Sequence, residues 1–497
     1  MKSSTLITLP RRSKVPLLSL LAAVLLILGN GPFFIPFLPF IAIALYVWSV
    51  RESKRPFLTA FAIAFPYWFY HSVWILNLHV PGYVRPLLVS GVLLLAAALS
   101  LTYALWGWSV NRIRSPLALA VLSPSVWVMW EFWRGELLGD LSYPWSPLGV
   151  SLLKSPFLDI AAIGSVYFLS FFVVLVGTLL YLRRWIVAGI VLAGAILWGA
   201  VYSPGKPVER VKVAVLQPNV LPRLAYDPKE WREVDSAYSQ LLRRLKGKRI
   251  DLVVGSESAF PGVHRFSRGS QRWVKRITEE TGAPFLFGTA GMESGKGGLR
   301  FYNRALLVDT TGKIVGHYDK VRLVPFGENY PFYEYLPPFI RNINLGQGNY
   351  RRGKGFYPVA LGDLKLGVMI CYESIFPYIG WRLVRNGANL LVVITSDGWF
   401  GRSVGPVEHY YLGILRSVET GRAMVRAAKT GISAIVDADG RVLKELPLYR
   451  RGVLIGDVPI YGGTTPFVAF GFLIPPLLSL VGFLWYLFGL IGAIRRK

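Results

Sequence analysis

The feature that most restricts this chain is a series of apolar runs, too long and too many for one soluble core. They lie at about 15–29, 33–50, 57–77, 87–109, 117–133, 160–182 and 185–202, with a last one at about 466–493. A bilayer-spanning helix needs roughly 20 apolar residues, and most of these runs come near that length; the first two are short. A hydrophobic fraction of 53% and 16 tryptophans agree with a membrane protein. The first run follows Lys2, Arg11, Arg12 and Lys14, as a signal peptide would. No small-x-small cleavage site follows it, so it reads as an uncleaved span.

The charges between the runs set the orientation. Arg51, Lys54 and Arg55 follow the second run, Arg112 and Arg114 the fourth, Arg183 and Arg184 the sixth, and Arg495, Arg496 and Lys497 the eighth. The alternate short linkers carry only Arg85, Arg134 and Lys154, with Glu136, Asp140 and Asp159 among them. By the positive-inside rule this gives eight spans with both ends cytoplasmic. Much of the net charge of +27 is then membrane topology, and no nucleic-acid partner is expected. No zinc-type Cys/His spacing and no phosphate-binding glycine loop occur. The expected division is a membrane domain of seven helices over 1–204, an extracytoplasmic domain over 205–460, and a last helix with a cytoplasmic tail over 461–497.

Residues 205–460 change in character, with charges, turn dipeptides and alternating strand and helix patterns. Strands are predicted at 211–216, 252–254, 284–287, 390–394, 423–428, 432–437 and 441–445, and helices at 229–246, 270–281 and 406–421. A hairpin is predicted around Thr311-Gly312. About 250 residues of this pattern make an α/β domain with a substantial core.

The chain's one cysteine, Cys371, ends the apolar run Val368-Met369-Ile370 and precedes a helical pattern after Ser374. A helix N-terminus there would favour a thiolate. A small buried structural cysteine is the competing reading. Two other strand ends carry reactive groups: Leu252-Val253-Val254-Gly255-Ser256 leads into Glu257 and then Ala259-Phe260-Pro261-Gly262, and Ile314 to Asp319 leads into Lys320, followed by Val324-Pro325-Phe326-Gly327-Glu328. Sites in open α/β sheets form beyond the carboxyl ends of strands, so the three can converge. A carboxylate that takes the thiol proton, a thiolate that attacks a carbonyl and an ammonium that steadies the oxyanion form a complete acyl-transfer set.

These segments resemble the Glu-Lys-Cys triad of the carbon–nitrogen hydrolase (nitrilase) superfamily: Glu257 in Ser-Glu-Ser, Lys320 in the run from Tyr318 to Glu328, and Cys371 in Ile-Cys-Tyr-Glu. The match extends along most of 208–458, and with the flanking spans the chain is similar to the superfamily's membrane-bound lipoprotein N-acyltransferase branch. The resemblance implies a nitrilase-like αββα sandwich on a multi-pass bundle in the bacterial inner membrane, its catalytic domain on the outer face. It implies ping-pong transfer of an sn-1 acyl chain from a phospholipid, typically phosphatidylethanolamine, through a Cys371 thioester to the α-amine of a diacylglyceryl apolipoprotein. Glu257 would be the base and Lys320 the oxyanion partner. Glu328, Glu373 and Tyr372 would support them, and Trp399, Phe400 and Trp145 would meet lipid. For Trp145 and Trp399 an interfacial belt position remains open, and for Trp399 static packing as well. No metal or organic cofactor is needed, and a monomer is expected.

Two departures stand out: Gly255-Ser256 precedes Glu257 where Trp-Pro is expected, and Ser396-Asp397 stands where Asn-Asp is common. A membrane-anchored amidase with water as acceptor is one rival reading; seven spans exceed what an anchor requires. A transporter with an inactive outer domain is the other. It would predict charges within the spans, and only His71 and Glu131, near span ends, come close.

Overall fold

The computed structural model describes residues 11–78, 82–221, 228–260, 268–295, 298–331, 335, 337, 350–470 and 472–494. Lys2, Arg495, Arg496 and Lys497 among the expected flanking charges, and Pro261 and Gly262 after Glu257, lie outside these residues.

The apolar runs form helices α1 (Val15–Gly29), α2 (Leu38–Glu52), α3 (Pro56–Ser72), α4 (Arg85–Arg112), α5 (Pro116–Phe132), α6 (Ala161–Tyr181) and α7 (Trp185–Val201). Pro56 and Pro116 start α3 and α5, where a missing N–H costs no intrahelical bond and the fixed φ suits the first turn. Among the described residues two segments, Arg85–Arg112 and Leu158–Tyr181, are long and apolar enough to cross a membrane; Val15–Gly29, Trp185–Val201 and Ile474–Phe488 are shorter apolar helices. The expected run 57–77 is interrupted, because Val73–Asn77 tightens into a 3₁₀ turn. Helix α6 breaks at Gly164–Ser165, where Ser165 has φ +66°.

The segment between Glu209 and Ile460 holds the strands. Its elements are β1 (Glu209–Gln217), α8 (Pro228–Arg243), β2 (Leu252–Val254), α9 (Arg268–Thr281), β3 (Phe285–Gly295), β4 (Gly298–Val308), β5 (Ile314–Asp319), β6 (Val359–Leu361), β7 (Leu364–Ile370), α10 (Pro377–Arg385), β8 (Leu390–Thr395), α11 (Gly405–Thr420), β9 (Met424–Ala428), β10 (Ser433–Val436), β11 (Val442–Leu446) and β12 (Gly452–Ile460), followed by α12 (Ile474–Ile494). They make two six-stranded sheets, ordered β12-β1-β2-β3-β4-β5 and β11-β10-β9-β8-β7-β6. In each, three central strands run parallel (β1-β2-β3 and β7-β8-β9) and antiparallel strands flank them.

Period-two alternation assigns the faces. Val213 and Val215 of β1, with Val254 and Leu286, meet Val368, Ile370, Val392 and Val425 between the sheets. Ala214 and Leu216 point the other way, onto Val234, Leu241, Trp273 and Ile277 of α8 and α9. On the far side Met369 and Val393 pack with Ile379, Leu383, Ile414 and Leu415 of α10 and α11. The result is a four-layer αββα sandwich. Its outer α10–α11 layer shares one buried apolar cluster with α2, α5 and α6, so bundle and sandwich are continuous.

Polar contacts reinforce that seam. At the α6 break the freed Val166 N–H donates to Glu419 Oε1 of α11 (2.9 Å), and Arg416 Nη2 donates to the same oxygen (2.7 Å). Arg352 pairs with Asp140. Within the bundle, Gly177 of α6 lies against α2: a Cβ there would stand 2.6 Å from Ile43 Cβ and 2.9 Å from the Phe40 carbonyl oxygen. Gly177→Ala should therefore lower the thermal unfolding midpoint in detergent, by a destabilisation of about 1–3 kcal/mol. An unchanged midpoint would contradict so close a helix crossing.

Candidate active site

The carboxyl ends of β2, β5 and β7 bring Glu257, Lys320 and Cys371 to one side of the sandwich. Glu257 and Lys320 are 4% and 1% exposed, so their charges depend on partners rather than on water. Lys320 Nζ lies 2.8 Å from both oxygens of Glu328 and 3.9 Å from Glu257 Oε1. Burial alone would lower the lysine pKa; the Glu328 and Glu257 carboxylates outweigh it and hold the ammonium protonated. Glu328 is fixed in turn by the Val324 N–H on Oε2 (2.9 Å).

Sequence reasoning missed Asn303, on β4. Its Nδ2 donates to Glu257 Oε1 (2.8 Å) and Glu328 Oε1 (2.7 Å), bridging two carboxylates that would otherwise repel. Burial pushes the Glu257 pKa up, Lys320 pulls it down and Glu328 pushes it up again. The result is a carboxylate readier than an ordinary one to accept a proton.

Cys371 departs from expectation in two ways. The helix after it starts only at Pro377; Cys371–Ile375 is a 3₁₀ turn, and Cys371 itself has φ +52°. The thiol is also not acidified. Burial comes first and Glu257 next in driving its pKa up, against the opposing pull of Lys320. A five-residue turn offers little of a long helix's dipole, so desolvation wins. The resting group is a thiol that needs a base at the moment of attack.

Glu373 sits away from the proton path. Oε1 accepts from Tyr318 Oη (2.9 Å), Val321 N (2.8 Å) and Arg322 N (3.0 Å), and Oε2 from Ile370 N (2.9 Å). It ties the loop carrying Lys320 to the strand end carrying Cys371; burial brings its pKa to about 7 against the pull of the Ile370, Arg322 and Val321 N–H groups and the Lys320 charge. Tyr372 reaches the bundle, donating to the Ser142 carbonyl (3.0 Å).

The three aromatic residues expected at lipid divide. Trp145 is 1% exposed, which excludes a belt position: its Nε1 donates to Glu408 Oε2 (2.6 Å) and its ring stacks 6.2 Å from that of His409. Phe400 packs on Trp74 (4.7 Å) and near His409 (5.6 Å), because the loop after β8 folds onto the bundle. Both therefore meet protein. Trp399 and Phe400 are both half-buried, so each keeps some open surface, and only Trp145 is fully enclosed. Asp397, at the start of this loop, is locked by Thr395 Oγ1 (2.7 Å), His409 Nδ1 (2.9 Å) and Arg426 Nη2 (2.8 Å). The Arg426 and His409 partners overcome burial and hold Asp397 ionised, well below the usual range. The two ionisable groups noted near span ends are both enclosed: His71 Nδ1 pairs with Glu408 Oε1 (2.6 Å), and Glu131 Oε1 accepts from Trp127 Nε1 (2.9 Å) and Leu148 N (2.8 Å).

The chain is similar to known proteins along most of its length. Residues 212–462 match the carbon–nitrogen hydrolase family, and residues 22–179 match the apolipoprotein N-acyltransferase N-terminal domain. The chain is 30% identical over 483 residues to the apolipoprotein N-acyltransferase of Pseudomonas syringae pv. tomato, covering 91% of this chain and 92% of that protein. It is 31% identical over 410 residues to that of Geobacter metallireducens, covering 78% of each. Among solved structures, a carbon–nitrogen hydrolase from Helicobacter pylori G27 aligns with a TM-score of 0.37 and 14% identity over 56% of this chain and 93% of that one.

Asn303 lowers the Glu257 pKa by donating to its charged form. Removing the donor with Asn303→Ala should raise that pKa further, so less carboxylate is available at a given pH. The acidic limb of the rate of Cys371 modification should then move to higher pH, which a pH–rate profile with a neutral thiol reagent would measure. An unmoved limb would separate Glu257 from the thiol.

Proposed function

The chain belongs to the apolipoprotein N-acyltransferase family, and we propose that it moves an acyl chain from a membrane phospholipid, through a thioester on Cys371, to the α-amine of an N-terminal S-diacylglyceryl-cysteine. The observation that carries this reading is the buried Glu257–Asn303–Glu328–Lys320 cluster beside the chain's only thiol.

Glu257 takes the thiol proton as Sγ attacks the sn-1 ester carbonyl, a phosphatidylethanolamine being the expected donor. The oxyanion meets the Lys320 ammonium, whose charge is kept by Glu328. Collapse breaks the ester C–O bond; the leaving alkoxide takes the proton back from Glu257 and departs as lysophospholipid. The acceptor amine then attacks the thioester and gives its proton to Glu257. The C–S bond breaks and the thiolate recovers that proton. Thiol, carboxylate and ammonium supply each step.

The membrane setting is part of the proposal: residues 1–204 as seven spans, 205–460 as the catalytic domain on the outer face, and 461–497 as the eighth span with its cytoplasmic tail. Outward apolar side chains support it, among them Leu17 (68% exposed), Leu94 (71%), Ile186 (81%) and Phe488 (67%). Trp399, beside an anchored Asp397, is the proposed lipid contact on a short lid.

Mass spectrometry of the purified protein incubated with phosphatidylethanolamine should find one acyl adduct on Cys371. Cys371→Ala should show none and Cys371→Ser at most traces, since the thiol is the nucleophile. A diacylglyceryl peptide should discharge the adduct as an N-acyl product; discharge to free fatty acid alone would favour the amidase reading. Normal peptide acylation by Cys371→Ala would refute the proposal.

Topology is checked separately. Alkaline phosphatase fused after about residue 300 should be active and a fusion after Arg114 inactive. The reverse pattern would overturn the eight-span arrangement.

A further inference from the structure

Cys371 holds a backbone conformation that an L-residue adopts at a cost of about 1–2 kcal/mol, with φ +52°. Something must keep it there. Its carbonyl oxygen accepts two hydrogen bonds, from Ser374 Oγ (2.8 Å) and His409 Nε2 (3.0 Å). Ser374 Oγ also stands 3.1 Å from His409 Nε2; since that hydroxyl donates to the Cys371 carbonyl, the arrangement is satisfied by the ring form that carries a proton on Nε2. The ring is held from its other edge by Asp397 Oδ1 (2.9 Å) and Arg426 Nη2 (3.1 Å), and its face is covered by Trp145. His409 is 1% exposed and Asp397 1%.

This ring lies close to the chemistry without taking part in it. A nitrogen of His409 is within 4.8 Å of Cys371 Sγ, yet both ring nitrogens are already engaged, so the imidazole has no free position from which to carry a proton to or from substrate. Its effect must pass through the Cys371 backbone. The support extends into the bundle: Trp145 Nε1 bonds Glu408, and Glu408 bonds His71 of α3.

We propose that His409 is the positioning residue of the nucleophile, its Nε2–H clamping the Cys371 carbonyl so that the left-handed turn keeps the thiol where Glu257 and Lys320 act on it. The clamp is preorganisation: geometry set before lipid arrives, by a residue that touches no reacting atom. It rests on Cys371 being the acyl acceptor.

The test uses the full chain in mixed micelles of detergent and phosphatidylethanolamine, with single-turnover adduct formation followed by intact mass. Three variants separate the clamp from mere packing. His409→Gln can present a nitrogen donor where Nε2 stood; His409→Asn is too short to reach, and His409→Leu has no donor. At saturating lipid, thioester formation should slow about 10²-fold in His409→Asn and His409→Leu, the scale of a misplacement of about 1 Å. Half-saturating lipid should stay as in the parent, and His409→Gln should recover most of the rate. Equal rates for Gln and Asn, a parent rate in Asn, or a loss confined to half-saturation would each overturn the proposal. If His409→Leu fails to fold, the Gln–Asn contrast still decides; loss of the parent's thermal transition in all three would make the residue structural and equally overturn it. No adduct on the parent chain would instead fail the reading of Cys371 itself.

Discussion

The site depends on keeping one ammonium charged while it is almost wholly out of water. A buried charge costs several kcal/mol unless it is paired and its hydrogen bonds are satisfied. Lys320 meets that requirement with both oxygens of Glu328, and Glu257 stands farther off at 3.9 Å. The asymmetry divides the labour. Glu328 neutralises the lysine and is spent in doing so; Glu257 feels the ammonium yet remains able to accept a proton. Asn303 makes the arrangement tolerable by donating to both carboxylates through its single Nδ2. Glu257, Lys320 and Asn303 belong to one sheet and Cys371 to the other, so the cluster also registers the two sheets of the sandwich. Glu373 makes the same tie from the other side.

A second set of buried polar contacts joins sandwich to bundle, and each is placed where one unit leaves a need that the other meets. The α6 break frees the Val166 N–H, and Glu419 of α11 accepts it. Trp145 brings an indole N–H into a dry seam, and Glu408 accepts it. Such contacts are costly if one partner is lost, which argues for one defined docking of α11 on the bundle. Aromatic packing from Trp74 through Phe400 to His409 fills the space between them.

Much of this was legible in the sequence, and the failures have physical causes. The central strands of the sandwich and the three residues Glu257, Lys320 and Cys371 lie in apolar runs bounded by turn residues, which is a local signal. Strand β12 (Gly452–Ile460) was missed because two glycines and Pro459 disguise it; it exists through its long antiparallel pairing with β1, which no local pattern reveals. Asn303 and Arg426 carried a signal that went unused. Arg426 interrupts an otherwise apolar strand and Asn303 directly follows Phe301-Tyr302 in β4; a buried polar side chain at either place must find a partner. Trp145 was expected at lipid from the resemblance, with a belt position left open; its burial against Glu408 and His409 is a long-range contact that no local pattern reveals. Only the docking of α11 shows that the loop is covered.

The least expected result, a thiol held above its ordinary pKa, suits the proposed transfer better than an acidified one would. Thiolate nucleophilicity falls as thiol pKa falls, and a less acidic thiol is the poorer leaving group. Once Glu257 has taken its proton, Cys371 is therefore a strong attacker of an unactivated ester. Once acylated, its sulfur is slower to be expelled by a weak nucleophile such as water than an acidic thiol's would be. An amine, far more nucleophilic, is hindered less. On the proposed outer face of a membrane, where the surroundings would be oxidising, a raised thiol pKa serves a further end: susceptibility to oxidation follows thiolate character and exposure, and Cys371, partly buried, has little of the first at rest. The base requirement and the persistence of the acyl-enzyme then share one origin, the desolvation of a single sulfur.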